Sequence, residues 1–101
     1  MLDECIPRKL KKTIHGHFVS TILEMGWTGK KNGELLRLAA SKFDVFITID
    51  QNIRFQQNLE RALIPIILLR VKDNNFETFI PLLPKIHQAL NQLPSKLIRL
   101  E

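Results

Sequence analysis

Three acidic residues, Asp3, Glu34 and Asp50, stand at or beside the ends of predicted elements, and their types point to cation chemistry. Asp3 lies in Met1-Leu2-Asp3-Glu4, Asp50 ends Val45-Phe46-Ile47-Thr48-Ile49-Asp50, and Glu34 opens the helix-like run Glu34 to Ala40. In a parallel α/β sheet, ligands bind outside the carboxyl ends of the strands. Carboxylates gathered there repel one another, and a hard divalent cation offsets that repulsion. Mg²⁺ is typically held by one or two carboxylates, with waters and phosphate oxygens completing its shell. The implied chemistry is metal-assisted attack on a phosphodiester, in which two ions ~4 Å apart orient a water and stabilise the leaving oxygen. Asn52, two residues after Asp50, offers a neutral oxygen ligand or a hold on a water. Taken singly, each acid also fits a helix cap or a solvated charge, and Asn52 fits a turn.

The elements that must position these residues alternate along the chain. Met1 to Cys5 reads as a very short first strand. Pro7 suits the first turn of a helix, with Leu10 and Ile14 on its apolar face and Gly16 at its end. His17 to Leu23, rich in β-branched residues, is predicted as a second strand. Gly26 to Gly33 is a loop, and Asn32 is placed to cap the helix that follows. Phe43 to Ile49 is a third strand, apolar on both faces as a buried parallel strand should be. Asp50 to Asn58 turns into a short helix, and Ile64 to Val71 is a fourth strand. Phe76 to Leu93 is a helix interrupted early by Pro81 and Pro84, and Lys96 to Leu100 is a last strand. Strands alternating with helices imply parallel crossovers and a three-layer α/β/α sandwich with a mainly parallel sheet. Asp44 precedes its strand and belongs at the opposite edge from the acids. Asp73 follows the fourth strand at their edge.

Composition narrows the function classes. The 101 residues make one domain, 1–101, with an apolar fraction that suits a globular protein. No apolar run approaches the ~20 residues that span a bilayer, and the N-terminus lacks a secretory order, so a cytoplasmic location without membrane contact is expected. Cys5 is the only cysteine, which excludes an internal disulfide, and neighbouring Asp3 and Glu4 disfavour its thiolate. His15, His17 and His87 lack a third-ligand pattern, no Gly-rich phosphate loop is present, and Trp27 reads as a packing residue. The formal charge is +5. Arg8, Lys9, Lys11 and Lys12 fall within five positions, and Lys30 and Lys31 are adjacent. A basic surface around an acidic pocket suits a polyanion. There is no Tyr and one Trp, so interleaved aromatic platforms for bases are not evident.

Four segments together carry a resemblance: Leu2-Asp3-Glu4-Cys5-Ile6-Pro7, Glu24-Met25-Gly26-Trp27, Lys31-Asn32-Gly33-Glu34-Leu35-Leu36 and Asp44-Val45-Phe46-Ile47-Thr48-Ile49-Asp50-Gln51-Asn52. The chain resembles small bacterial PIN-like proteins, relatives of the VapC-type toxin ribonucleases. The resemblance implies a PIN-like fold and Mg²⁺- or Mn²⁺-dependent cleavage of RNA. It also implies a small antitoxin as partner. Carried over by motif, Asp3 is the first-strand acid and Asp50 the Thr-x-Asp acid. Glu34 is the helix-start acid, since Asn32 stands where an acid is often found. Asp3, Glu34 and Asp50 are thus the expected catalytic and metal residues, with Asn52 beside them. Arg8, Lys9, Lys30 and Arg70 are the expected phosphate contacts. The apolar residues Phe76, Phe79, Ile80 and Leu83 are expected to form a surface covered by a homodimer or an antitoxin. The alternative is a catalytically degenerate PIN-like interaction module that binds a partner protein or nucleic acid without cleaving it. A receiver-like phosphoacceptor domain also gathers acids at strand ends, but its last-strand Lys has no counterpart here.

Overall fold

The apolar run Val45–Ile49 forms the middle of the sheet. The computed structural model describes residues 1–51, 64–92 and 97–100. Strand β1 (Phe46–Thr48) is buried at every position, as is β2 (Ile66–Leu69), the pattern of parallel strands covered on both faces. β1 pairs in parallel with β2, with Phe46 opposite Ile66 and Thr48 opposite Leu68. β2 pairs in parallel with β3 (Leu97–Leu100). On the other side of β1, Leu2 makes parallel bridges with both Ile47 and Thr21. The spatial order is therefore Thr21, Leu2, β1, β2, β3, all in one direction.

Successive strand residues face opposite sides, and each side has its own apolar cluster. Phe46, Ile66 and Leu68 pack with Ile22, Leu35 and Ala39 from α2 (Ile22–Met25) and α3 (Asn32–Lys42). Ile47, Ile67 and Leu69 pack with Leu10 of α1 (Leu10–Thr13), with Phe79 of α4 (Phe76–Phe79), and with Ile86 of α5 (Leu83–Gln92). The fold is a mixed α/β arrangement around a parallel sheet. Among the described residues, no helix is long and apolar enough to cross a membrane.

Several expected elements are shorter or differently bounded. The first strand reduces to the bridges of Leu2, because the backbone turns at Ile6, whose N–H donates to the Asp3 carbonyl at 3.1 Å. The helix expected from Pro7 begins at Leu10, after a turn in which the Leu10 N–H donates to the Pro7 carbonyl at 3.0 Å. The second strand, expected over His17 to Leu23, pairs only at Thr21. There a helix takes over: the Thr21 hydroxyl accepts from the Glu24 N–H, and Glu24 accepts from the Thr21 N–H. This reciprocal box offsets the unpaired donors of a helix start and overrides the local β propensity. Gly26, in the left-handed region at φ +74°, ends that turn. Glu24 also pairs with Lys11. The Lys11 bond, then the Thr21 backbone, holds its carboxyl below the ordinary range. The resulting stability is present above that range and is lost as pH falls through the folded value.

Asn32 is the first residue of α3, and Lys31 holds the cap position assigned to Asn32 from sequence. The long helix expected from Phe76 is divided into α4, a 3₁₀ turn over Ile80–Leu82 that contains Pro81, and α5, with Pro84 in its first turn. Both prolines sit where a missing N–H is tolerated. The division turns Phe79 wholly into the core, and Phe76 and Leu83 pack against it. Of the apolar surface expected there, Ile80 stays 47% exposed. Trp27 is buried and meets Phe43 edge-on, with ring centroids 6.3 Å apart. The helix expected within Asp50 to Asn58 falls mostly outside the described residues.

Leu2→Ala removes a wholly buried side chain at the centre of this arrangement. It is expected to lower unfolding stability by about 2–5 kcal/mol, measured as a lower urea midpoint with an unchanged m-value.

Candidate functional site

A threonine links the Asp3 carboxylate to the backbone of Asp50. Thr48 is fully buried in β1, and a buried hydroxyl needs partners. Its Oγ1 donates to Asp3 Oδ2 at 2.6 Å and accepts from the Asp50 N–H at 3.0 Å. One hydroxyl thus fixes the Asp3 carboxylate against the backbone of Asp50. Both residues lie just past the carboxyl ends of parallel neighbours, Asp3 after Leu2 and Asp50 after β1. The second oxygen of Asp3 accepts from the Glu4 N–H at 2.8 Å, and its own N–H donates to the Ile47 carbonyl at 2.9 Å. Asp3 is therefore held from its backbone and from both carboxylate oxygens.

Cys5 completes this cluster. Its Sγ lies 3.8 Å from Thr48 Oγ1. The Thr48 proton is directed to Asp3, so the thiol is the donor in that contact. Burial is the first cause that pushes the Cys5 thiol up, and the Asp3 charge adds to it. Gln51 fastens the edge from the other side: its Nε2 donates to the Leu69 carbonyl at 3.3 Å, at the end of β2.

Glu34 is placed differently. It lies in the first turn of α3 and pairs at 3.2 Å with Lys30, which precedes the helix. Both partners are partly exposed, and such a pair contributes little to stability. Among the described residues, no three His, Cys, Asp or Glu side chains are grouped so as to hold an ion together. Asp3, Glu34 and Asp50 therefore do not share one coordination sphere here. Thr48 links the Asp3 carboxylate to the Asp50 backbone, and Glu34 is engaged with Lys30. Glu34 is carried by a helix start with its own cation partner, not by a strand end. Asn52 lies outside the described residues. Asp73 is taken up in a turn, accepting from Thr78 Oγ1 at 2.6 Å and from the Asn75 N–H at 3.0 Å. Asp44 precedes β1, at the far edge.

The expected phosphate contacts divide likewise. Arg8 and Lys9 are exposed in the turn before α1. Lys30 is engaged with Glu34. Arg70 follows β2 at the same edge as Asp50 and is exposed. A hollow of about 210 Å³ beside Asp3 is lined by Glu4, Arg8, Thr21 and Thr28. Glu4, not singled out from sequence, brings a second carboxylate to it and accepts from the Gly29 N–H at 3.5 Å.

Thr48, Gln51 and Glu4 are the residues that sequence reasoning missed. Thr48 had a readable signal: a hydroxyl within an otherwise apolar buried strand, two positions before an acid. Gln51 and Glu4 had none, since each acts through a contact distant in sequence.

No family model matches the chain, and neither a curated protein nor a solved structure matches it.

Two outcomes test this geometry. Thr48→Val keeps shape but leaves Asp3 Oδ2 and the Asp50 N–H without their shared partner. It is expected to cost about 1–3 kcal/mol in chemical denaturation. Cys5, with its thiol held protonated, should react with iodoacetamide at pH 7.5 more slowly than glutathione does, and match glutathione once the chain is unfolded in urea.

Proposed function

We propose that this chain is a PIN-like three-layer α/β/α domain that cleaves RNA with Mg²⁺ or Mn²⁺ at the edge formed by Asp3 and Asp50. The observation that carries the reading is the Thr48 hydroxyl, which ties the Asp3 carboxylate to Asp50 at the carboxyl end of a parallel sheet. The donor set fits a hard cation. It is all oxygen, it is anionic, and it supplies one or two carboxylates, which is what Mg²⁺ takes when waters and phosphate oxygens complete the shell. Asp3 and Asp50 would hold the ion. When bound, such an ion supplies Lewis-acid charge to the phosphodiester oxygens.

The chain's own residues do the rest. Thr48 keeps the Asp3 carboxylate in one orientation, so no reorganisation is needed as substrate arrives. Glu4 extends the acidic lining, and Arg8, beside it, meets the substrate's negative charge. Glu34 would join the acids only by releasing Lys30. Asn52 remains a proposed neutral ligand. The resemblance to VapC-type nucleases supports a cytoplasmic toxin with a small antitoxin as partner. A homodimer would have to use the exposed Ile80 more than Phe79, which is in the core.

A second reading is favoured by one observation, the absence of a three-acid group among the described residues. A site with two acids binds cations weakly, and a PIN-like module that binds RNA or a protein without cleaving it would look the same.

Cleavage of a labelled RNA in Mg²⁺ and in Mn²⁺ separates the readings. Asp50→Asn is expected to reduce cleavage about 10²–10³-fold while its melting temperature is equal to or above wild type, because repulsion between the acids falls. Glu34→Gln should reduce it less. No cleavage by wild type in either metal, with no metal-induced rise in melting temperature, favours the non-cleaving module.

A further inference from the structure

Next to the hollow at Asp3 runs a second, larger groove of about 790 Å³. Its wall is the basic turn and helix at Arg8, Lys9, Lys11 and Lys12. Its opposite side is the start of α4, with Asn74, Asn75 and Phe76. Two carboxylates, Glu24 and Glu77, also line it, and Glu24 is already neutralised by Lys11. The cationic excess is therefore local to this groove and is carried by Arg8, Lys9 and Lys12, all exposed.

The groove shares a wall with the hollow at Asp3. Arg8, Thr21 and Leu23 line both. A polyanion with one phosphodiester at Asp3 would pass over Arg8 and continue between Lys12 and Asn75. The groove also offers what bases need. Leu23 is 59% exposed within it, an apolar surface open to solvent. The Lys9 ammonium lies over the ring of the half-buried Phe76, 5.9 Å from its centroid, so a strand that draws Lys9 to a phosphate uncovers an aromatic surface. Asn74 and Asn75 are exposed amides that donate and accept. A duplex hides its bases and meets a protein through phosphates and groove edges, whereas a single strand splays bases onto apolar and aromatic side chains.

We propose that this groove is a track for single-stranded RNA, with Arg8, Lys9 and Lys12 on the phosphates and Leu23 and Phe76 under the bases, leading the strand to Asp3 and Asp50. The assignment rests on the RNA-cleavage reading for the end of the track, but binding in the groove does not need catalysis.

The test is fluorescence anisotropy of a labelled 12-nucleotide RNA with the full chain in EDTA, across a salt series, followed by cleavage on adding Mg²⁺ or Mn²⁺. Wild type should bind the single strand more tightly than the same sequence as a duplex. The double variant Lys9→Gln/Lys12→Gln should weaken binding about tenfold or more at low salt. It should also reduce the slope of log K against log salt by about 1.4, roughly 0.7 for each lost phosphate contact on a single strand. Lys42→Gln, beside the hollow at the far edge of the sheet, should change neither quantity. Lys12→Glu alone should weaken binding in the same direction, with thermal melts confirming that both groove variants remain folded. Unchanged affinity and slope in the double variant would overturn the track, as would tighter binding of the duplex. Binding of a polyglutamate peptide with none of RNA would assign the groove to an acidic protein partner and overturn it too. Binding with the expected variant losses but without cleavage in either metal would keep the track and remove the nuclease reading. Cleavage by wild type that the double variant retains in full would do the reverse.

Discussion

The structure depends on three residues threaded between two other parts of the chain. The Met1 carbonyl accepts from the Ile47 N–H at 2.8 Å, the Leu2 N–H donates to the Ser20 carbonyl at 2.9 Å, and the Asp3 N–H donates to the Ile47 carbonyl at 2.9 Å. Backbone groups buried without partners are costly. Each of these residues is therefore committed to a fixed position between Thr21 and β1. Those pairings bring the residue after Leu2 to the carboxyl edge of β1, beside Thr48. The position of Asp3 follows from sheet pairing rather than from any property of its own side chain.

This constraint explains which parts of the site were legible in the sequence. Asp50 was readable because the run from Val45 to Ile49 could only be a buried strand, and the residue that ends it must lie at an edge. Asp3 was readable for the same reason, although two residues before it gave little evidence of a strand. What the pattern could not convey was the link between them. Thr48 looks like an ordinary β-branched strand residue until its buried hydroxyl is matched with a carboxylate 45 positions away. Glu34 is positioned by a different kind of element. A helix start beside a loop can place an acid almost anywhere, and an (i, i+4) lysine supplies a local partner that linear spacing does not weigh against a distant ion.

The fold was legible where burial is two-sided and illegible where side chains compete with the ladder. β1 and β2 lie within the expected third and fourth strands. The strand expected over His17 to Leu23 stops at Thr21 and gives way to the helix Ile22–Met25, because Thr21 and Glu24 satisfy each other's backbone donors, a local contact that outweighs β propensity there. At Pro81 and Pro84 the chain uses a 3₁₀ turn to join two helices. That joint turns Phe79 inward and leaves Phe76 partly exposed at the rim of the basic groove. Packing on one face of the sheet thereby shapes the surface that borders the acids.

The claim at the centre is that Asp3 and Asp50, joined through Thr48, receive a hard divalent cation. The most direct measurement is Mn²⁺ titration of the isotopically labelled protein, following paramagnetic broadening of backbone amide resonances. The amides of Asp3, Glu4 and Asp50 should broaden first, at substoichiometric Mn²⁺, and excess Mg²⁺ should restore them. Broadening that begins elsewhere, or that reaches these three amides no sooner than exposed acids such as Asp44 and Glu77, would contradict it.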